Sequence, residues 1–398
     1  MRALAITVDG APAWACGAIP RTHAVRPRQT VWMSRSLTDA KVPPAKLARA
    51  IERLRHRLCR INQRLVPAPA ALIELIFGAW VAQAIQAAAK LGIADALSEG
   101  PLPLADLARR VGAEPDYLGR LMRALISRGI FRQHRNGRYD LTPLAESLRS
   151  DAPESMVGAA LFYGSKQHRE HWTLLAEAIR TGKPCVPALR GKDFWGYLDD
   201  DPEYADLFND AMTSISAMAV SPIAAGYDFS RYATIVDVGG GHGGLLAAIL
   251  AAAPTSRGVL YDMPEVVAGA PAVLGQRGMA ERVRIEGGSF FESVPTGGDA
   301  YLLKHIIHDW PDEQAVAILR NVRAAALDGA TLLLLETVIP EHDREFLGKW
   351  VDLEMLLLGP GRERTAAEYS ALLGQAGFLM TRVVQTASPF SVVEATPA

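Results

Sequence analysis

The run Ile235-Val236-Asp237-Val238-Gly239-Gly240-Gly241-His242-Gly243-Gly244 constrains this chain more than any other segment. An apolar stretch ends in an acid and then in a turn in which five of the six residues from 239 to 244 are glycine. A helix-like run, Leu245 to Ala253, follows at once. Glycine has no Cβ and tolerates positive φ, so such a turn lets the backbone approach a ligand closely. The helix behind it offers unpaired N–H groups and the positive end of its dipole. The segment therefore predicts a strand–turn–helix unit that holds a polar, partly anionic cofactor.

Gly239, Gly241 and Gly244 satisfy the dinucleotide fingerprint G-x-G-x-x-G, which also occurs in ordinary strand-to-helix turns. Asp237, at the strand end, is placed to accept a hydrogen bond from a cationic amino group. Asp262 ends the next predicted strand, Gly258-Val259-Leu260-Tyr261, where an acid can hold ribose hydroxyls. Nicotinamide dinucleotides and S-adenosylmethionine both carry a ribose, so Asp262 leaves the two open. Later landmarks separate them: Glu286-Gly287-Gly288-Ser289-Phe290-Phe291, Leu303-Lys304-His305-Ile306-Ile307-His308-Asp309-Trp310, Leu335-Glu336-Thr337 and Gly361-Arg362-Glu363-Arg364-Thr365. With the glycine turn, this series resembles the S-adenosylmethionine-dependent O-methyltransferases of the plant caffeate and bacterial polyketide and hydroxyneurosporene type, over roughly residues 70–395.

The resemblance implies an α/β C-terminal Rossmann-like domain with a seven-stranded sheet ending in an antiparallel hairpin. It also implies a mainly α, winged-helix-like N-terminal domain that makes a homodimer. Strands are predicted near 234–238, 257–262, 283–286, 299–304 and 330–338, with Phe378–Val384 and Phe390–Glu394 as the terminal pair. Alternating strands and helices predict a parallel sheet covered on both faces, with ligands at the carboxyl ends of its strands.

Methyl transfer from a sulfonium is an in-line displacement, and a phenol with a pKa of about 10 is mostly protonated at neutral pH. A base that takes its proton during attack contributes roughly 10²–10⁴-fold, and histidine suits that task. His308 sits just past a predicted strand and matches the catalytic base of the family's His-Asp-Trp motif. Glu336 and Glu363 match the acids that flank it, and a carboxylate on one ring nitrogen fixes the tautomer and raises the basicity of the other. A solvated strand end for Glu336, and an ion pair with Arg362 or Arg364 for Glu363, are the simpler alternatives.

The remaining expected contacts follow from the resemblance. Gly239 and Gly241 shape the turn, Asp237 and Asp262 meet the cofactor's amino and ribose groups, and Lys304 lies near its adenine or ribose. Phe290 packs on adenine, Ser216 reaches the methionine moiety, and Asp309 and Trp310 complete the motif. Ser289 stands where plant relatives usually carry aspartate, so it offers adenine a hydroxyl without a charge. Phe208, Met212 and Met355 are expected along the acceptor, and His305, where plant relatives often carry tryptophan, also lines that pocket. The loop Leu356-Leu357-Leu358-Gly359-Pro360-Gly361 is one residue shorter than in plant enzymes and lacks their asparagine, which makes the acceptor end apolar. No cluster with metal-ligand spacing is visible in the sequence, so no metal and no metal-dependent catechol mechanism are expected.

At 398 residues, 49% apolar and 21% charged, the chain has the composition of a soluble globular protein. Three scattered cysteines make no disulfide framework or metal pattern and point to a reducing, cytoplasmic setting. No membrane span is expected, because Glu74, Gln83 and Gln86 interrupt the apolar run Ala71–Ala89. Residues 1–66 hold 13 Lys or Arg against 3 Asp or Glu, a balance of +10, so with a net charge of −1 the remainder carries −11. Met1–Arg35 reads as a transit-like or upstream extension, with Met33 as an alternative start. Lys46–Leu65 reads as an amphipathic helix with an Arg-rich face, docking on the chain's own dimer, on its acidic body or on an anionic membrane.

The predicted domains are a basic extension, partly disordered or wrongly started (1–66), a winged-helix-like dimerisation domain (67–164), a helical connector closed by the Pro222–Asp228 stretch (165–228), and the S-adenosylmethionine-binding catalytic domain (229–398). The expected reaction is methylation of a hydroxyl on an aromatic, quinone or polyketide-like small molecule. The rivals are N-methylation on the same scaffold, a non-catalytic winged-helix DNA-binding sensor of S-adenosylmethionine, and an NAD oxidoreductase. Net charge and the intact His308-Glu336-Glu363 set speak against a nucleic-acid partner.

Overall fold

The computed structural model describes residues 42–398, so the expectations for Met1–Arg35 and Met33 lie outside the described residues. A seven-stranded mixed sheet organises the C-terminal part. Its strands are β3 (Thr234–Val238), β4 (Arg257–Asp262), β5 (Val283–Gly287), β6 (Ala300–Lys304), β7 (Thr331–Glu336), β8 (Phe378–Gln385) and β9 (Ser391–Pro397), in the order β5-β4-β3-β6-β7-β9-β8. The first five run parallel, and β9 inserts antiparallel between β7 and β8.

Successive residues of a strand point to opposite faces, and both faces here are buried, so the strands read as continuous apolar runs. Val236, Val238, Tyr301, Leu303, Leu332 and Leu334 fill one core. Ile235, Leu302, Leu333 and Leu335 fill the other with the helix Gly244–Ala252. The chain moves outward from β3 to β4 and β5, then returns to the other side of β3 as β6. The carboxyl ends of β3 and β6 thus flank the point where strand order reverses, the position at which open α/β sheets bind ligands.

The N-terminal part has a separate core of Ile93, Leu97, Leu107, Leu118, Met122, Leu125 and Phe131. Its helices Leu104–Val111 and Pro115–Ser127 precede a two-stranded wing, β1 (Phe131–Gln133) and β2 (Tyr139–Leu141). Gly137 has φ +80, so the Asn136-Gly137 turn between them uses its glycine in the left-handed region. The amphipathic helix forms as Ala45–Arg64, with Leu47, Ile51, Leu54, Leu58 and Ile61 exposed.

The first apolar helix begins at Ala68 rather than Ala71, because Pro69 fits a first turn where no N–H is needed. It is interrupted at Phe77 and resumes as Gly78–Lys90. By length and composition Ala68–Lys90 is apolar enough to cross a membrane despite Glu74, Gln83 and Gln86. The helix Pro202–Gly226 runs through Pro222 and ends inside the stretch 222–228 expected to close the connector. The proline removes one helical hydrogen bond, and Ala219 and Ile223 of the same helix are buried in the sheet's core.

Candidate active site

The carboxyl ends of β3, β4, β6 and β7 bring most of the expected residues to one sheet edge. Gly239, Gly241 and Gly243 have φ of +70, +59 and +78, the left-handed region that favours glycine. A Cβ at Gly239 would overlap Ile306 Cδ1 and lie 3.7 Å from Phe290 Cε1. Gly244 begins the helix with ordinary φ, and a Cβ there would meet nothing within 4 Å. The third glycine of a dinucleotide fingerprint serves close helix–strand packing. Gly243, which the fingerprint does not single out, is tighter than Gly244: a Cβ there would lie 3.1 Å from Leu260 and Leu274.

Asp262 Oδ2 accepts a 2.8 Å hydrogen bond from Gly241 N, tying the second strand's acid to the turn. Asp237 is 2% exposed, and its Oδ2 has no partner. Burial pushes its pKa up to about 7, against the pull of Lys304 and with a smaller push from Asp262. A buried, unpaired carboxylate beside an open turn fits a cationic group of a ligand. Lys304 is held below the usual lysine range by burial, with Asp237 and Glu336 opposing. Phe290 packs near Trp310, its carbonyl accepting from Asn321, while Ser289 Oγ accepts from Phe291 N within its own turn.

His308 lies on a short 3₁₀ turn, Ile307–Asp309, just after β6. Its ring is buried, with Nδ1 2.9 Å from Glu363 Oε1 and Nε2 3.3 Å from Asp309 Oδ1. Burial opposes its charge, but Asp309, Glu363 and Glu336 outweigh that and push its pKa up to about 10. The two flanking acids divide their contacts. Glu363 meets the ring, whereas Glu336 Oε1 accepts from Ile307 N at 3.0 Å. Glu336 thus fixes the turn's backbone and reaches His308 only through its charge, because its strand ends beneath the turn.

Neither arginine flanking Glu363 pairs with it: Arg362 goes to Glu368, and Arg364, 1% exposed, to Asp312. Arg364 also donates to the carbonyls of Ile307 and Trp310 at 3.0 and 2.9 Å. Asp352 Oδ1 accepts from Glu363 N, and the His308 carbonyl accepts from Arg362 N. A Cβ at Gly361 would overlap that carbonyl. Arg364, Asp352 and Gly361 were not singled out from the sequence. Only their neighbourhood to Glu363 marked them, because Arg364 and Gly361 meet a backbone about 50 residues away and Asp352 reaches Glu363 from a separate helix.

His305 is the only non-glycine residue with positive φ among the described residues, at +53. Its ring stacks on that of His308, centroids 4.3 Å apart and planes 24° apart, and packs on Phe390. Burial and the nearby cations His308 and Lys304 hold its pKa well below the usual histidine range. His305, His308 and Glu363 also offer donor atoms all within 4.8 Å of one another, a grouping that could hold a metal ion. Sequence spacing hid it because Glu363 arrives from a loop 55 residues beyond His308.

Phe208, Met212 and Ser216 recur every fourth residue on the helix Pro202–Gly226 and so share a face. Phe208, Met212 and Met355 pack with Phe162, Tyr204 and Leu357 in the connector's own core. Met355 comes from the helix Leu347–Leu358, which also carries Asp352.

Residues 172–379 match the family model described as an O-methyltransferase domain, and residues 73–151 one described as an O-methyltransferase dimerisation domain. The phenazine O-methyltransferase PhzM of Lysobacter antibioticus is 40% identical over 83% of this chain and 97% of its own length. The 8-amino-8-demethylriboflavin N,N-dimethyltransferase of Streptomyces davaonensis is 36% identical over 79% of this chain and 91% of its own. The solved structure of CalO1, a methyltransferase in calicheamicin biosynthesis in its S-adenosylhomocysteine-bound form, matches with a TM-score of 0.75 at 35% identity, covering 83% of this chain and 98% of that one. The chain belongs to the O-methyltransferase family and is an S-adenosylmethionine-dependent methyltransferase.

Proposed function

We propose that this enzyme methylates a hydroxyl group on a planar aromatic, quinone or polyketide-like small molecule, with His308 as general base. The observation that carries the reading is the buried His308–Glu363 pair at the carboxyl edge of the sheet, with Nδ1 engaged at 2.9 Å. When bound, S-adenosylmethionine supplies an electrophilic methyl group on its sulfonium. Gly239 and Gly241 leave room for it, and Asp237, Asp262, Lys304, Ser289 and Phe290 would hold it, with Ser216 at the methionine end.

The acceptor's oxygen must lose its proton as it attacks. Glu363 holds Nδ1–H, which leaves Nε2 as the nitrogen that takes that proton. The three carboxylates around the ring explain why it holds a proton tightly, and why the imidazolium formed in the reaction is stabilised. Positive charge arriving at the sheet edge opposes the ring's charge and favours its neutral, accepting form. Phe208, Met212 and Met355 would lie against the acceptor's flat faces, methionine adapting to different ring systems.

Relatives named as an O-methyltransferase and as an N,N-dimethyltransferase share this scaffold, which supports N-methylation as a second reading. We further propose that 229–398 holds the cofactor, that 165–228 forms the helical connector, and that 67–164 makes a homodimer. The test is transfer of labelled methyl to a panel of phenols, quinols and amines by wild type and His308→Ala. Transfer to a hydroxyl that falls by about 10²-fold or more in the variant supports the reading. Undiminished transfer by His308→Ala overturns the base role, and transfer to amines alone selects the second reading.

A further inference from the structure

We infer that His305, His308 and Glu363 form a binding site for one divalent cation of borderline softness, such as Zn²⁺, and that its occupancy inhibits the enzyme. Two imidazoles and one carboxylate make the donor set of open zinc sites, which leave a fourth position for water. One donor atom from each residue already lies within 4.8 Å of the others. Zinc–nitrogen bonds of about 2.0–2.1 Å place neighbouring donors roughly 3.4 Å apart, so closing the set turns the stacked rings of His305 and His308 toward one ion.

A second, independent observation points to a ligand. His305 Nε2, Glu363 Oε2 and Glu336 Oε2 are buried with no hydrogen-bond partner. Unpaired buried polar atoms are costly, and two of these three belong to the proposed ligands His305 and Glu363. His305 also sits in the left-handed backbone region, at φ +53, a strained conformation typical of ligand clamps. Glu336 and Asp309 add negative charge that offsets the cation's, with Lys304 the nearest opposing charge. Imidazole donors favour Zn²⁺, Cu²⁺ or Ni²⁺ over Mg²⁺ or Ca²⁺, which prefer oxygen.

An ion shared with Glu363 sits on the Nδ1 side of His308, so Nε2 keeps the ring's proton and cannot take the acceptor's. The inhibition therefore rests on the base reading of His308, whereas the binding does not. The experiment is calorimetric titration of the full-length enzyme with Zn²⁺, with Co²⁺ as a visible-absorption probe of coordination. Methyl transfer is followed over the same metal range. One ion per chain is expected, with Co²⁺ showing the intense bands of low coordination number. His305→Phe and Glu363→Gln, checked for folding by circular dichroism, should each weaken binding by at least about tenfold.

Saturation that tracks loss of methyl transfer supports both halves. Saturation without inhibition keeps the site and overturns the base reading. Absence of saturable binding overturns the site. So does binding insensitive to both substitutions, which would place the ion elsewhere, for instance on His56 and Cys59 of the exposed helix Ala45–Arg64.

Discussion

Gly361 carries no functional group, yet it sets where His308 sits. Its Cα faces the His308 carbonyl so closely that a Cβ would overlap that oxygen and the carbonyl of Asp309. Arg362 N binds the same His308 carbonyl, and Glu363, the next residue, binds the ring. Replacing Gly361 by alanine pushes the Glu363 loop and the His308 turn apart while leaving every ionisable group in place. A displacement of about 1 Å at a catalytic group costs on the order of 10²-fold. Gly361→Ala should therefore lose roughly that much kcat and keep its cofactor affinity, measured by steady-state kinetics and calorimetry. An alanine variant with wild-type kcat would show that the loop yields without moving His308. The sequence marks Glu363 through its motif, but nothing in a bare glycine or in Arg364 announces that each is shaped around a backbone 50 residues away.

Among the elements, the strand–turn–helix unit of β3 was the most legible, because glycine spacing, apolar run and acid all point one way. The strands around it were legible as apolar runs, and their observed ends lie within a few residues of the predicted ones. The helix Leu347–Leu358 was not legible as a functional element. Its mixed face hides that Asp352 braces Glu363 while Glu354 binds His168 and Trp172 of the connector. The turn itself gives a prediction. Alanine at Gly239 must take up φ of +70, at a cost of about 1–2 kcal/mol, and must displace Ile306. Gly239→Ala should weaken S-adenosylmethionine binding by about tenfold or more while the pH response of the variant stays that of wild type. Unchanged calorimetric affinity would remove the turn from the cofactor site.

For the whole molecule, two features join or expose its parts. Glu394 on β9 is bonded by Arg231, Arg382, Thr381 and Tyr227, which ties the segment after the helix Pro202–Gly226 to the sheet. Burial favours its protonated form, but the bonds from Arg382, Tyr227, Thr381 and Arg231 prevail and hold its pKa down at about 2 against 4.5. A lowered carboxylate pKa stabilises the fold above pH 4.5, and that contribution is lost as pH falls toward 2. Glu394→Gln should therefore be less stable than wild type at neutral pH, with the gap narrowing over that acid window in denaturant titrations. A constant gap would mean that the charge of Glu394 adds nothing.

The other feature is the apolar surface of Ala68–Lys90, where Leu72, Leu75, Ile76 and Trp80 are 59, 61, 57 and 67% exposed. A contiguous surface of that kind on a single chain marks an interface or a membrane contact. Residues 73–151 match a dimerisation domain, so a second copy is the expected cover, and the adjoining stripe of Ala45–Arg64 would extend it. Ile76→Glu with Trp80→Glu places two charges inside that contact and leaves the separate core of Leu107, Met122 and Phe131 untouched. Sedimentation should show wild type at twice 42.9 kDa and the double variant at 42.9 kDa. A wild type that sediments as a single chain would overturn the dimer. Vesicle flotation of that single chain would then assign the surface to lipid, the alternative that its length and composition also satisfy.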